Sequence, residues 1–216
     1  MTGASAKIFL LSPASASGLR ARQLGAPGAR FPAAERLRSG DGVSLEEAFS
    51  FMSALYFRGK AAYARRFAAP PPQLPGEGIL IIAPGFGLVA PDWRLDRGRL
   101  RRMARTPVDT ACKAYVSAMR RDLAGLRERL PASTQVVILG SIATGKYIDL
   151  LAPALGGRLL FPLAFVGAGN MQRGALLLRA ARSGQELDYA VIDAPRRHPR
   201  AAAAAERASG ARSSPD

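Results

Sequence analysis

Gly140-Ser141-Ile142-Ala143-Thr144-Gly145-Lys146 has the Gly-x4-Gly-Lys spacing of a phosphate cradle, and it follows an apolar run, Gln135–Leu139. In such a loop backbone N–H groups surround phosphate oxygens and the lysine reaches the outer phosphates. Tyr147 stands where a Mg²⁺-holding Ser or Thr would follow, and a phenol is too large for that role. The spacing predicts an anion site made by Gly140, Ser141, Thr144, Gly145 and Lys146, without NTP hydrolysis. The rival readings are an ordinary strand–loop–helix turn with a solvated lysine and an active ATPase or kinase. Asp193, after the apolar Ala190-Val191-Ile192, would imitate a metal-holding aspartate only if its strand lay beside Gly140.

Other loops carry polar chemistry of the same kind. Ser12-Pro13-Ala14-Ser15-Ala16-Ser17-Gly18-Leu19-Arg20 offers three hydroxyls and a guanidinium, suited to a phosphate, a sugar or a base edge, or else a flexible surface loop. Tyr56-Phe57-Arg58-Gly59-Lys60 interrupts an apolar helical face with two cations and a glycine. Either a ligand or another backbone comes close there, or the helix kinks and the charges are solvated. Gly85 and Gly87 precede Asp92, the carboxylate best placed for acid or base work, with a turn or cap as its alternative role. In Gly167-Ala168-Gly169-Asn170-Met171-Gln172-Arg173 the glycines free the backbone and Asn170 is expected to cap the next helix. Arg173 in that first turn opposes the helix dipole, which points to a negative ligand or partner.

The composition narrows the classes. One cysteine and one histidine, Cys112 and His198, exclude an internal disulfide, and the usual metal clusters are not expected. No apolar run approaches the roughly 18 residues of a membrane span, and Ile8–Leu11 is too short for a secretory signal, so a cytoplasmic protein without membrane contact is expected. The net charge of +15 brings nucleic acid forward as an alternative partner. The basic residues are nearly all arginine, scattered and not interleaved with aromatics, as GC-rich codon usage alone would produce.

Positioning these loops requires regular elements. Apolar runs predict strands at Lys7–Ser12, Gly78–Ala83, Gln135–Leu139, Leu159–Val166 (an edge or irregular strand, given Pro162) and Tyr189–Asp193. Ser12 to Pro27 reads as loop and Phe31 to Arg38 as a helix. Ser44-Leu45-Glu46-Glu47 is a capping box opening a long helix to Phe67, interrupted at Gly59. Pro91 to Thr110 reads as irregular with one short helix. Further helices are predicted at Tyr115–Leu130, Lys146–Leu155 and from Asn170 to about Ser183. Strand–helix alternation makes a three-layer α/β fold, with a mostly parallel sheet of about five strands and helices on both faces. One domain over 1–194 and a disordered basic tail over 195–216 are expected.

Over about residues 7–194 these motifs resemble a family of uncharacterised bacterial α/β proteins. The runs that carry the likeness are Leu10–Ala14, Leu55–Ala64, Ala83–Asp92, Gly140–Tyr147 and Gly167–Gly174. The resemblance implies no activity, cofactor or residue role. The expected function rests on the loops, which follow strand ends and would meet at one rim of the sheet. It is binding and processing, by hydrolysis or group transfer, of a phosphate-bearing small molecule such as a nucleotide. In this reading Arg20, Arg58, Lys60, Lys146 and Arg173 neutralise charge, Ser12, Ser15, Ser17 and the glycine loops donate hydrogen bonds, and Asp92 is the acid/base group. The alternatives are a nucleic-acid-associated protein and a non-enzymatic regulatory domain.

Overall fold

The computed structural model describes residues 5–74, 76 and 78–192. Asp193, His198 and the expected tail lie outside them. A six-stranded sheet forms the middle layer, in the order β4 (Gly87–Val89), β3 (Ile79–Ala83), β1 (Lys7–Leu11), β6 (Gln135–Leu139), β7 (Leu159–Pro162) and β8 (Tyr189–Val191). β3, β1, β6 and β7 run parallel, while β4 and β8 close the two edges antiparallel. A separate two-stranded ribbon pairs β2 (Val43–Ser44) with β5 (Arg94–Leu95).

The strand sequences explain the layering. Ile8, Phe9, Leu10 and Leu11 of β1 have no exposed surface, as a central strand covered on both faces requires. Each such side chain contributes about 1.5–3 kcal/mol by leaving water. Phe9 and Leu11 face one core, shared with α1 (Leu19–Gly25), α2 (Pro32–Ser39), α3 (Leu45–Phe67), α4 (Arg97–Ala104) and α7 (Asn170–Ser183). Ile8 and Leu10 face the other, shared with α5 (Lys113–Arg129) and α6 (Gly145–Leu155). No described helix is long and apolar enough to cross a membrane.

Several elements differ from expectation. Leu19–Gly25 is helical, not loop, and Gly87–Val89 is a sixth strand of the sheet. β7 ends at Pro162 and continues as a 3₁₀ turn over Leu163–Phe165. Ser44 caps α3 by accepting from the Glu47 N–H (3.2 Å), but the Glu47 carboxylate pairs with Arg36, so half of the capping box forms.

Gly59 is not where α3 breaks. The break lies at Ser53 and Ala54, where Ala54 takes φ +30°, a conformation that suits glycine. Gly59 is buried against α7. A Cβ there would lie 2.7 Å from the Gly174 carbonyl oxygen, and one on Gly174 would lie 2.9 Å from Tyr56 Cα. The two glycines let the helix backbones touch.

Helix propensity alone favours Gly59→Ala by about 1 kcal/mol. Overpacking against an immovable backbone costs about 1–3 kcal/mol. Gly59→Ala is therefore expected to lower the urea midpoint, and a raised midpoint would mean that α7 can move away freely. Ala54→Gly is expected to raise it, because strain of roughly 1–3 kcal/mol at the break outweighs glycine's entropy.

Candidate functional site

β1 and β6 are adjacent and parallel, yet the helices that follow them leave on opposite faces of the sheet: α1 to α3 on one, α6 on the other. A crevice must open outside the carboxyl ends where the chain diverges. A cavity of about 470 Å³ lies there, walled by Pro13–Ser17 after β1, Pro84 after β3, Met103 and Ala104 at the end of α4, Thr106–Val108 beyond it, and Lys146 and Tyr147 at the start of α6. That volume is within the range of small-molecule sites.

The divergence demands close packing at its base. The Ser12 N–H still donates to the Leu139 carbonyl (3.2 Å), so the loops part only beyond it. A Cβ on Gly140 would lie 2.8 Å from Ser12 Cβ, which is why glycine ends β6. The lining residues include Lys146 and the hydroxyls of Ser15, Ser17 and Thr106, and no carboxylate. Ser15 and Ser17 approach each other at 3.4 Å between their oxygens, while Thr106 donates to the Arg102 carbonyl (2.8 Å).

A second cavity, of about 530 Å³, shares Thr106 and is walled by Arg101, Arg102 and Arg105. Arg102 donates to the Gly85 carbonyl (3.0 Å) and lies over the Phe86 ring. Among the described residues, Arg101 and Arg105 have no carboxylate partner. The side of the crevice formed by α4 is thus strongly positive.

Beneath the rim the polar groups are dry. Lys60, on α3, is 1% exposed. Its Nζ donates to the Ser12 carbonyl (2.5 Å) and to Ser12 Oγ (3.0 Å), and lies over the rings of Tyr56 (4.6 Å) and Phe57 (4.7 Å). No carboxylate pairs with it, and burial alone lowers its pKa from the ordinary 10.5 to about 7. Burial also raises the Tyr56 phenol pKa. Arg173 beside it pulls the other way, although no hydrogen bond of good geometry joins them. The Tyr147 phenol is pushed up by burial and then by Tyr56. Tyr115 donates to the Lys146 carbonyl (3.0 Å) and anchors the first turn of α6.

The expected site residues divide. Ser12, Ser15, Ser17, Gly140, Lys60 and Lys146 gather at or directly beneath the crevice. Gly85 and Gly87 shape the turn from β3 to β4, with φ of +78° and +96°. Gly87 leaves room for Asp122, whose carboxylate accepts from the Leu88 N–H (2.8 Å). Arg20 is exposed and donates to the Phe51 carbonyl (3.2 Å). Arg58, also exposed, donates to Ala54 at the helix break.

Ser141 and Thr144 belong to the more open loop before α6, and Thr144 makes no side-chain cap. The Asp149 carboxylate folds against Gly145, 2.3 Å from where a Cβ would stand. A phosphate seated at that helix N-terminus would meet this carboxylate, so the cradle geometry gives way to the neighbouring crevice. Tyr147 is buried beside the crevice, with the Lys146 ammonium over its ring (5.1 Å).

Asp92 lies elsewhere. β4 returns antiparallel, with Val89 opposite Ile81, and carries Asp92 to the amino ends of the parallel strands. There it lines a different cavity with Ser44, Glu46, Glu47 and Arg65. Missing β4 placed Asp92 on the wrong rim. The last loop also differs: Gly169, not Asn170, is the N-cap of α7, and its N–H donates to the Gln172 side chain (2.9 Å). Gly167, with φ +74°, turns the chain into that cap. Arg173 is committed to the Phe165 carbonyl through Nε (3.2 Å) and a terminal nitrogen (2.8 Å), so a protein acceptor answers its unfavourable dipole position.

Sequence reasoning missed Tyr56, Tyr147 and Thr106 as members of the site, and took Arg101 and Arg105 only as part of an irregular arginine-rich stretch. Tyr56, Lys60 and Tyr63 stand four and three residues apart, a spacing that places Lys60 on the buried face of α3. That signal was present. Comparison of the chain with protein-family models, curated proteins and solved structures finds no match in any of the three.

The buried amine ties stability to pH. With its pKa lowered in the folded state, Lys60 binds a proton in the unfolded chain but not the folded one between about pH 7 and 10.5. Stability from this group therefore rises with pH across that window. Measured by urea unfolding, the stability of wild type relative to Lys60→Met is expected to increase from pH 7 to 10. A flat difference would mean that the amine stays charged when buried.

Proposed function

We propose that the chain binds a phosphate-bearing small molecule in the crevice between the β1 and β6 loops and processes it by hydrolysis or group transfer. The observation that carries this reading is the wall chemistry. A cavity of about 470 Å³ at the point of strand divergence combines Lys146 with Ser15, Ser17 and Thr106 and has no carboxylate among its lining residues. Arg101 and Arg105 beside it extend the positive field over an adjoining cavity. An anionic ligand meets opposite charge at the mouth and hydroxyl donors within, and both favour it over a neutral analogue. Its remaining part would lie against Pro13, Pro84, Met103 and Val108.

The test is thermal unfolding against mononucleotides, sugar phosphates and short oligonucleotides at fixed ionic strength. A ligand present at 100 times its Kd adds about 2.7 kcal/mol. For a domain of this size that raises the midpoint by roughly 5–10 °C. Lys146→Ala removes a charged hydrogen-bond donor and is expected to weaken binding roughly 10- to 100-fold, about 1.5–3 kcal/mol. A shift unchanged in Lys146→Ala would move the ligand out of the crevice. A response to oligonucleotides alone, falling steeply with salt, would replace this reading with nucleic-acid binding at the arginine-rich wall.

A further inference from the structure

Lys60 does not behave as a structural lysine. A cation buried at a strand end normally carries its anion with it, and none is present among the residues it contacts. The Tyr56 and Phe57 ring faces favour the ammonium, while complete burial without an anion works against it and makes the amine easier to deprotonate. The one side-chain hydroxyl it touches belongs to Ser12, the first residue beyond the central strand. Ser12 directly precedes the segment Pro13–Ser17 that walls the crevice, and abuts Gly140 of the facing loop. Ser12 Oγ lies 3.0 Å from Lys60 Nζ, which donates to it; once the amine is neutral, its lone pair can accept the Ser12 hydroxyl proton across the same contact, as a general base activating a nucleophile must.

We infer that Ser12 and Lys60 are a nucleophile and general-base pair, and that the substrate is a carboxylic ester of a phosphate-bearing small molecule. The inference rests on the crevice reading for the anionic part of the substrate and stands on its own geometry for the reacting part. The choice of a carboxylic ester follows from charge. An uncharged hydroxyl and an uncharged amine create a single ion pair on attacking a neutral carbonyl. Attack on a phosphoryl dianion would add further negative charge in a dry site.

In the first step Ser12 Oγ bonds to the carbonyl carbon as its proton passes to the Lys60 amine, and the carbonyl π electrons move to oxygen. The Ser12 N–H is held by the Leu139 carbonyl (3.2 Å) and Pro13 has none, so the Ala14 N–H, which has no acceptor among the described residues, is the first uncommitted backbone donor after Ser12. Collapse breaks the bond to the alcohol oxygen, which leaves with the proton held by Lys60. Water then attacks the acyl-serine, giving one proton to Lys60, and Ser12 recovers it as the acid departs. The balance is ester plus water to acid plus alcohol. No oxidant or reductant is involved.

The experiment uses the full chain with a neutral p-nitrophenyl acyl ester and, separately, a fluorophosphonate, followed by intact mass and peptide mapping. Expected are a burst of about one equivalent of p-nitrophenolate, a label on Ser12, and no label in Ser12→Ala. The acylation rate is expected to rise with pH, with a midpoint near 7, where Lys60 loses its proton. Removing a general base costs about 100-fold or more, so Lys60→Met should label at least that much more slowly and without the midpoint. If Lys60→Met does not fold, the midpoint in wild type and the loss in Ser12→Ala carry the test.

Absence of label on Ser12 in folded protein between pH 6 and 9 would overturn the pair, as would an unchanged rate in folded Lys60→Met. Failure of the crevice reading looks different. Neutral esters would still acylate Ser12, while phosphate compounds would neither shift the unfolding midpoint nor compete with a phosphate-bearing ester.

Discussion

An amine buried without an anion sits on the carboxyl end of the central strand, and much of the surrounding structure follows from holding it there. To bring Nζ to Ser12, α3 must lie across the end of β1 with Tyr56, Lys60 and Tyr63 facing inward. The neighbouring residue, Gly59, then faces α7, and the absence of side chains on Gly59 and Gly174 lets the two helix backbones come into contact. That contact in turn brings Arg173 alongside Tyr56. Arg173 bonds a carbonyl, Lys60 bonds a carbonyl and a hydroxyl, and the phenols of Tyr56, Tyr115 and Tyr147 are all held neutral by burial. The interior beneath the crevice is therefore polar but carries no carboxylate. Such an arrangement gives up the Coulomb energy of an ion-pair network and satisfies the buried cations with carbonyl and hydroxyl acceptors.

The fold was legible because its strands are buried on both faces. Ile8–Leu11, Ile79–Ala83 and Val136–Leu139 are short apolar runs ended by Ser, Pro or Gly, and a buried parallel strand has few other ways to look. β4 escaped because Gly87-Leu88-Val89 is too short to show alternation. Asp122, a residue distant in sequence, secures it through the Leu88 N–H. That omission moved Asp92 to the wrong end of the sheet. The site was legible as a set of loops but not as a set of contacts. Gly140 could be seen to end a strand, whereas its reason, the Ser12 side chain, depends on pairing 128 positions apart. The kink at Ala54 left no trace in residue type, since alanine there runs against propensity.

Charge is distributed unevenly between the two ends of the sheet. Glu46, Glu47 and Asp92 gather around the cavity at the amino ends of the parallel strands, and Glu186 pairs with Lys7 where β1 begins. At the carboxyl ends Lys146 lines the crevice and Arg101 and Arg105 the adjoining cavity, while the Asp149 carboxylate lies against Gly145. Charges this close to water interact weakly pair by pair, but their sum attracts an anion toward one rim and away from the other.

The two layers of the crevice then have different physical tasks. Guanidinium and ammonium groups at the mouth recognise charge where water keeps the cost of holding them low. The Ser12–Lys60 contact is buried, where the same charge is more expensive and the amine gives up its proton more readily than in water. A ligand with an anionic end and an uncharged reacting group would span both layers without placing its charge in the dry one. A compact inorganic anion could occupy only the upper layer. On the proposed reading, burial of Lys60 beneath the rim would favour a bipartite molecule whose anionic and reacting parts are apart.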